Sequence, residues 1–220
     1  MKQAPGRRLA MVAGAVGRRG EALLNAVLAS GDYDQVVVLA SAPMALGVRG
    51  LTLAALEDLP PVDDVFLLLS DPQDAGARSY YGRDAPFVQV DEANCLPIAQ
   101  RAAQCGARRL VLISPMPAWQ QVGHFHRGLA NDTELAVAQL PFSSIVVLRP
   151  VREGGRPAAS LIQRLVAGYL SLQLLMLPKG LETLTSETLA RCALAAMRGA
   201  GEGLQVHAAD GLRRLLEPAE

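Results

Sequence analysis

Short runs of consecutive apolar residues recur along the chain and alternate with longer stretches whose apolar positions are spaced as on one face of a helix. The runs are rich in β-branched residues and leucine, which is typical of strands buried on both faces of a parallel sheet. Strands that alternate with helices predict a doubly wound parallel α/β fold. The predicted strands span residues 9–13, 35–40, 63–70, 109–114 and 144–149.

Helix end signals delimit two of the intervening stretches. One helix is predicted from about Val90 to Cys105, with Gly106 as its C-terminal stop. Another is predicted from about Phe125 to Leu140, ahead of a proline.

The length of 220 residues and a hydrophobic content of 50% allow one large core, so we expect a single domain over residues 1–220. Its core is expected over 7–150, and a small C-terminal part over 151–220. The elements predicted in that part are an apolar helix over 161–177, a helix over 186–197 and a late edge strand over 204–207 before a terminal helix.

Three glycines follow the first predicted strand and open the first predicted helix, in the segment Gly14-Ala15-Val16-Gly17-Arg18-Arg19-Gly20. In dinucleotide-binding turns one glycine allows the tight turn, one lets the backbone approach the pyrophosphate, and one lets the helix pack close to the strand. The helix N-terminus then offers N–H donors and a partial positive charge to the phosphates. The segment therefore predicts a nucleotide site.

In a doubly wound sheet the ligand lies outside the carboxyl ends of the strands. Residues at those ends complete the predicted site. The predicted cofactor-binding residues are Gly14, Val16, Gly17, Arg18, Arg19, Gly20, Ser41, Leu69, Ser70, Ser114 and Pro150.

The residue after the second strand bears on which nucleotide is bound. A carboxylate there would hold the ribose 2′-hydroxyl of NAD, but this chain has Ser41. Arg18 and Arg19 are able to reach a 2′-phosphate, which favours NADP(H) over NAD(H). The alternative is that each arginine is only a solvated charge on an exposed loop.

Composition restricts the other partners. Basic and acidic residues number 21 each and the basic ones are scattered, so no footprint for nucleic acid or an anionic membrane is present. No stretch reaches the roughly 20 uninterrupted apolar residues of a membrane span. The three cysteines lack metal-ligand spacing and are expected as buried or half-buried thiols of a cytoplasmic protein.

Taken together, the glycine segment, the strand ending at Ser114 and the turn Leu148-Arg149-Pro150 resemble the atypical short-chain dehydrogenase/reductase family, specifically its short NAD(P)H-binding members. The resemblance covers nearly the whole chain. It implies a Rossmann fold, a cofactor on the glycine segment and, in active members, a small carbonyl or alcohol substrate.

The resemblance implies that active members transfer protons through a Ser/Thr residue and a Tyr-x-x-x-Lys pair. This chain does not supply that pair. The tyrosine position falls on or near His126 and the lysine position on Ala130, and the only lysines are Lys2 and Lys179. Only Ser114 keeps a hydroxyl in the serine region. The resemblance therefore implies a degenerate catalytic motif.

His126 is the candidate replacement, because imidazole titrates near pH 7. A histidine at a helix start equally needs no catalytic role. No metal site is expected, since His124 and His126 have no third ligand at recognisable spacing.

The sequence is compatible with three functions. The chain is a cofactor-dependent sensor or interaction protein, an oxidoreductase in which His126, Tyr80, Tyr81 or a water moves the proton, or a partner-binding domain with a vestigial site. A homodimer is also left open. Asp63-Asp64, at the start of a strand, is expected to be a turn and not a pair of catalytic carboxylates.

Overall fold

The protein is described by a computed structural model that covers residues 8–41, 48–70, 86–117, 121, 128–129, 131–152 and 184–217. Its strands are β1 (Leu9–Ala13), β2 (Gln35–Leu39), β3 (Leu51–Ala54), β4 (Asp64–Leu68), β5 (Arg109–Ile113), β6 (Ser144–Arg149) and β7 (Gly203–Ala208). Its helices are α1 (Gly17–Ala29), α2 (Glu92–Gln104), α3 (Asp132–Ala138), α4 (Ser186–Arg198) and α5 (Ala209–Leu212), and a 3₁₀ turn follows over Arg213–Leu216.

The seven strands form one sheet in the order β3-β2-β1-β4-β5-β6-β7, and every neighbouring pair is parallel. The strands β2 and β3 are added on one side of β1 and the strands from β4 onward on the other, so the topological switch point of this Rossmann-like fold lies between β1 and β4. The predicted doubly wound α/β fold is confirmed. Within the described residues no helix is long and apolar enough to cross a membrane.

Both faces of the sheet are covered, because successive strand residues point to opposite sides. On one face Val12 and Phe66 pack with α1 and α4, and on the other Met11 and Leu67 pack with α2. All four of these side chains are fully buried. The continuous apolar runs of the sequence are thus explained by strands that have no solvent-facing side.

The five strands predicted in the core are confirmed, as are the edge strand β7 and the helix α4. The sequence did not predict β3, a four-residue edge strand. The predicted start of the helix near Phe125 is wrong, because α3 begins only at Asp132. The preceding residues Gly128 and Leu129 are not helical. Asn131 stops any earlier start, because its backbone is extended and its side chain accepts a hydrogen bond from the Glu134 amide.

The three cysteines are free thiols, with Cys95 and Cys192 buried and Cys105 half-buried, as expected. Burial raises the pKa of Cys95 to about 12, so this thiol is protonated at neutral pH.

A buried carboxylate ties several segments together at the amino edge of the sheet. Asp64, the first residue of β4, has a side chain that is 1% exposed. Arg109 donates to it through two nitrogens at 2.7 and 2.6 Å, Arg8 through one at 2.7 Å, and the Tyr33 hydroxyl at 2.9 Å. Arg109 also donates to the Met197 carbonyl near the end of α4. One carboxylate therefore fastens β1, β4 and β5 and the loop before β2.

The expected turn at Asp63-Asp64 is wrong for Asp64, which belongs to a strand. Asp63 lies just before the strand, and its side chain accepts from the Leu9 amide at 2.8 Å. The two carboxylates have different partners, so they do not form a catalytic pair. Burial raises the pKa of Asp64, and hydrogen bonds from Tyr33 and Arg8 oppose that rise.

Replacing Asp64 by alanine is expected to lower the free energy of unfolding by about 2–4 kcal/mol, because it leaves arginines without their buried counter-charge. The measurement is urea denaturation. The matched control is Asp32→Ala, which breaks an ion pair with Arg198 whose side chains are 27% and 57% exposed. That exposed pair is expected to contribute less than about 1 kcal/mol. Equal losses in the two variants would contradict the structural role of Asp64.

Candidate functional site

The turn between β1 and α1 is held by two glycines that admit no side chain. Gly14 has a φ of +82°, and a Cβ there would lie 2.2 Å from the carbonyl oxygen of Leu68 in β4. At Gly20, in the first turn of α1, a Cβ would lie 2.4 Å from the carbonyl carbon of Ala15. Gly14 therefore permits the close passage of β1 against β4, and Gly20 lets the helix pack on the turn.

Gly17 has a different environment. Its φ is +70°, but an added Cβ would meet no atom of the described residues within 4 Å. The residue before it, Val16, is the extended N-cap of α1 and supplies no side-chain hydrogen bond, and the first turn has no acidic residue. Contacts with the described residues therefore do not exclude a side chain at position 17, although the positive φ disfavours one. The partial positive charge of the α1 N-terminus is not offset by a carboxylate of its own first turn.

Both arginines of the glycine segment belong to the first turn of α1, since the helix begins at Gly17. Arg18 is exposed. The alternative of a solvated charge is wrong for Arg19, which is only 7% exposed. The Nη2 atom of Arg19 lies 3.5 Å from the carbonyl oxygen of Val151, just beyond β6.

Ser41 lies past the end of β2, on the other side of β1 from β6. Its hydroxyl donates to the Pro86 carbonyl oxygen at 3.2 Å, and its amide donates to the same oxygen at 2.7 Å. The structure therefore does not bring Arg19 and Ser41 together. A 2′-phosphate beside Ser41 would lie away from the Arg19 guanidinium in this conformation.

The predicted residues after β4 and β5 lie at the same edge of the sheet as the glycine turn. Leu69 and Ser114 are buried, and Ser70 is half-buried. The Leu69 amide donates to Ile113 at the end of β5, and the Ser114 amide donates to Leu148 in β6. These residues lie at the carboxyl ends of β4 and β5, where the ligand of a doubly wound sheet is expected.

Direct contacts close the edge of the sheet beyond β5 and β6. Met116 forms a parallel bridge with Val151, and its amide donates to the Pro150 carbonyl oxygen at 3.0 Å. Gln121, only 6% exposed, donates to the Met116 carbonyl oxygen and accepts from the Ala209 amide at the start of α5. The side chain of Gln121 thus links the end of β5 to α5.

A buried ion pair anchors α3 to the end of β6, which sequence reasoning missed. The side chains of Arg149 and Glu134 are 1% and 0% exposed, and both oxygens of Glu134 accept from the guanidinium. Arg149 also donates to the Gly128 carbonyl oxygen at 2.6 Å. The spacing of Asn131 and Glu134, a cap residue followed three positions later by an acid, was the available signal for the start of α3.

The predicted catalytic residue His126 lies outside the described residues, as do Ala130, His124, Tyr80 and Tyr81. The remaining histidine, His207, lies in β7 beside Leu148 of β6, and burial lowers its pKa.

The fold and the turn define a Rossmann-like α/β protein whose glycine segment lies at the switch point of the sheet. Neither a protein-family model nor a curated protein sequence matches the chain.

Several solved structures are similar in fold. UDP-N-acetylglucosamine 4-epimerase from Bacillus cereus has 16% identity and a TM-score of 0.49, with 91% of this chain and 77% of that chain covered. The PhqB reductase domain from Penicillium fellutanum has 16% identity and a TM-score of 0.49, with 94% of this chain and 68% of that chain covered. The enzyme WbmH of Bordetella bronchiseptica, solved in complex with NAD+, has 18% identity and a TM-score of 0.45, with 91% of this chain and 75% of that chain covered. Such identities and TM-scores do not place the chain in a family.

The Arg149–Glu134 pair yields a prediction for a double-mutant cycle. Arg149→Met alone and Glu134→Leu alone should each lower the free energy of unfolding by about 3–5 kcal/mol, because each leaves one buried charge uncompensated. The double variant should lose clearly less than the sum, since no charge then remains buried. Urea denaturation measures all three. Additive losses would contradict a direct pairing of the two side chains.

Proposed function

We propose that the protein binds a nicotinamide dinucleotide at the β1–α1 turn and acts as a cofactor-dependent sensor or interaction protein of the atypical short-chain dehydrogenase/reductase type. The observation that carries the proposal is the division of roles among the glycines. Close contacts within the protein exclude a side chain at Gly14 and Gly20, whereas a Cβ at Gly17 would meet no atom of the described residues within 4 Å. The φ of +70° at Gly17 already favours glycine, and a pyrophosphate lying against the turn would add a second demand for a residue without a side chain.

The rest of the proposed site follows from its position at the carboxyl edge. Backbone N–H groups of the first turn of α1 would hold the diphosphate, and Ser41 would lie near the adenosine ribose. NADP(H) is favoured over NAD(H), because no carboxylate stands at Ser41 to repel a 2′-phosphate and Arg18 is exposed at the turn.

A role without turnover is proposed because the proton relay of active short-chain dehydrogenases has no equivalent in this sequence. Neither lysine of the chain, Lys2 or Lys179, lies between the fourth and fifth predicted strands, where the relay helix is expected. An oxidoreductase that uses NADP(H) with a non-standard proton donor such as His126 is the alternative. A panel of carbonyl substrates with NADPH distinguishes the two, since the sensor proposal expects no oxidation of NADPH.

Isothermal titration of cofactor-free protein with NADPH should show micromolar or tighter binding. Gly17→Asp should abolish it, because a carboxylate would meet the pyrophosphate. The matched control is Gly31→Asp, since Gly31 has a φ of +71° and equally open described surroundings but follows the far end of α1. This control should bind NADPH within about twofold of the wild type, given a similar backbone strain. Absence of NADPH and NADH binding by the wild type would overturn the proposal.

The ratio of NADPH to NADH affinity tests the roles of the two arginines. Arg18→Ala should weaken NADPH binding by about five- to tenfold and leave NADH unchanged, as expected for loss of one charge-assisted hydrogen bond. Arg19→Ala should change both affinities alike, because Arg19 extends toward β6 and away from Ser41. A change of the ratio in Arg19→Ala alone would show that Arg19 holds the 2′-phosphate.

A further inference from the structure

The segment Pro86–Val90, here called the strap, takes the place of β1 in the sheet where β1 turns away. The last pairings of β1 are Val12 with β2 and Ala13 with β4. Beyond them Ala40 forms an antiparallel bridge with Phe87, and Leu69 forms a parallel bridge with Val90. The strap therefore spans the ends of β2 and β4, directly above the end of β1.

Backbone hydrogen bonds hold both ends of the strap. At β2, the Ser41 amide donates to the Pro86 carbonyl oxygen at 2.7 Å, and the Val88 amide donates to Leu39 at 3.0 Å. At β4, the Ser70 amide donates to the Val90 carbonyl oxygen at 2.7 Å. The amide and the hydroxyl of Ser41 are thus both directed at the strap.

The side chains of the strap are less firmly held than its ends. Phe87 and Val88 are only half-buried, and they pack on opposite hydrophobic clusters, while Gln89 is exposed. By contrast, Val90 is fully buried and leads into α2. Val90 therefore anchors the end of the strap that leads into α2.

The position of the strap coincides with the adenosine half of the proposed site. In a Rossmann-like sheet the ligand crosses the switch point, and the adenosine ribose meets the residue that follows β2. Here that residue is Ser41, and the strap is bonded to it. A dinucleotide on the glycine turn and the strap on Ser41 would compete for the same space.

We infer that the strap is an autoinhibitory element that occupies the adenosine subsite and is displaced when a nucleotide binds. The inference rests on the proposed nucleotide binding at the β1–α1 turn. Nucleotide binding then frees the Ser41 and Ser70 amides from the strap and changes the surface formed by Pro86–Gln89. The same displacement gives a sensor its readout, since a segment at the protein surface moves with the occupancy of the site.

Two variants loosen the strap in different ways. Val88→Pro removes the amide that donates to Leu39, and Phe87→Gly removes a side chain that packs against the hydrophobic cluster on one face of the sheet. Each should bind NADPH about tenfold more tightly than the wild type, which corresponds to a strap closed in about nine of ten molecules. The control is Gln89→Ala, which alters an exposed side chain of the strap and should bind within about twofold of the wild type. Cooperative thermal unfolding verifies that each variant is folded.

Amide hydrogen exchange of the wild-type protein gives a readout that needs no variant. Saturating NADPH should increase exchange at Ser41, Val88 and Ser70. Protection of these amides by NADPH, or unchanged or weaker binding by both strap variants, would overturn the inference and leave the proposed function standing. Absence of NADPH binding by the wild type and by both variants would overturn the two together.

Discussion

The candidate site depends on the contact between Gly14 and β4. A Cβ at Gly14 would lie 2.2 Å from the Leu68 carbonyl oxygen, and neither backbone is free to retreat, because β1 and β4 are hydrogen-bonded neighbours up to Ala13. This contact fixes where the chain leaves the sheet and hence where α1 begins. The direction of the first amides of α1 is therefore set by a residue that has no side chain.

Buried carboxylates stabilise the sheet both at the amino ends and at the carboxyl ends of its strands, but in different ways. Asp64 at the amino edge shares its charge among partners that remain partly in water, since Arg8 and Arg109 are 39% and 26% exposed. Glu134 at the carboxyl edge is paired with an arginine that is as buried as itself. The first arrangement gathers strands that are distant in sequence, and the second fixes one helix to one strand. Only the second adjoins the candidate site.

Much of the fold was predictable, because strands buried on both faces leave a signal in single runs of the sequence. The strand β3 was missed since its four residues lie at an edge of the sheet and form no such run. The depth of Asp64 and Arg149 was not predictable, because burial of a charge depends on partners that are brought close only by the fold. The glycine turn was predictable, because each close contact there requires a glycine at a fixed position. The burial of Arg19 was not, because it depends on the residues that follow β6.

The polar groups at the carboxyl edge are largely used within the protein. Arg19 reaches Val151, Ser41 is bonded to Pro86, and Arg149 is paired with Glu134. At the glycine turn the groups that a phosphate would meet are backbone amides of the first turn of α1. Recognition through backbone amides depends on the course of the chain and little on the identity of side chains. Phosphate binding of this kind does not depend on side chains that transfer protons, so the proposed nucleotide site is compatible with a chain that lacks the Tyr-x-x-x-Lys pair.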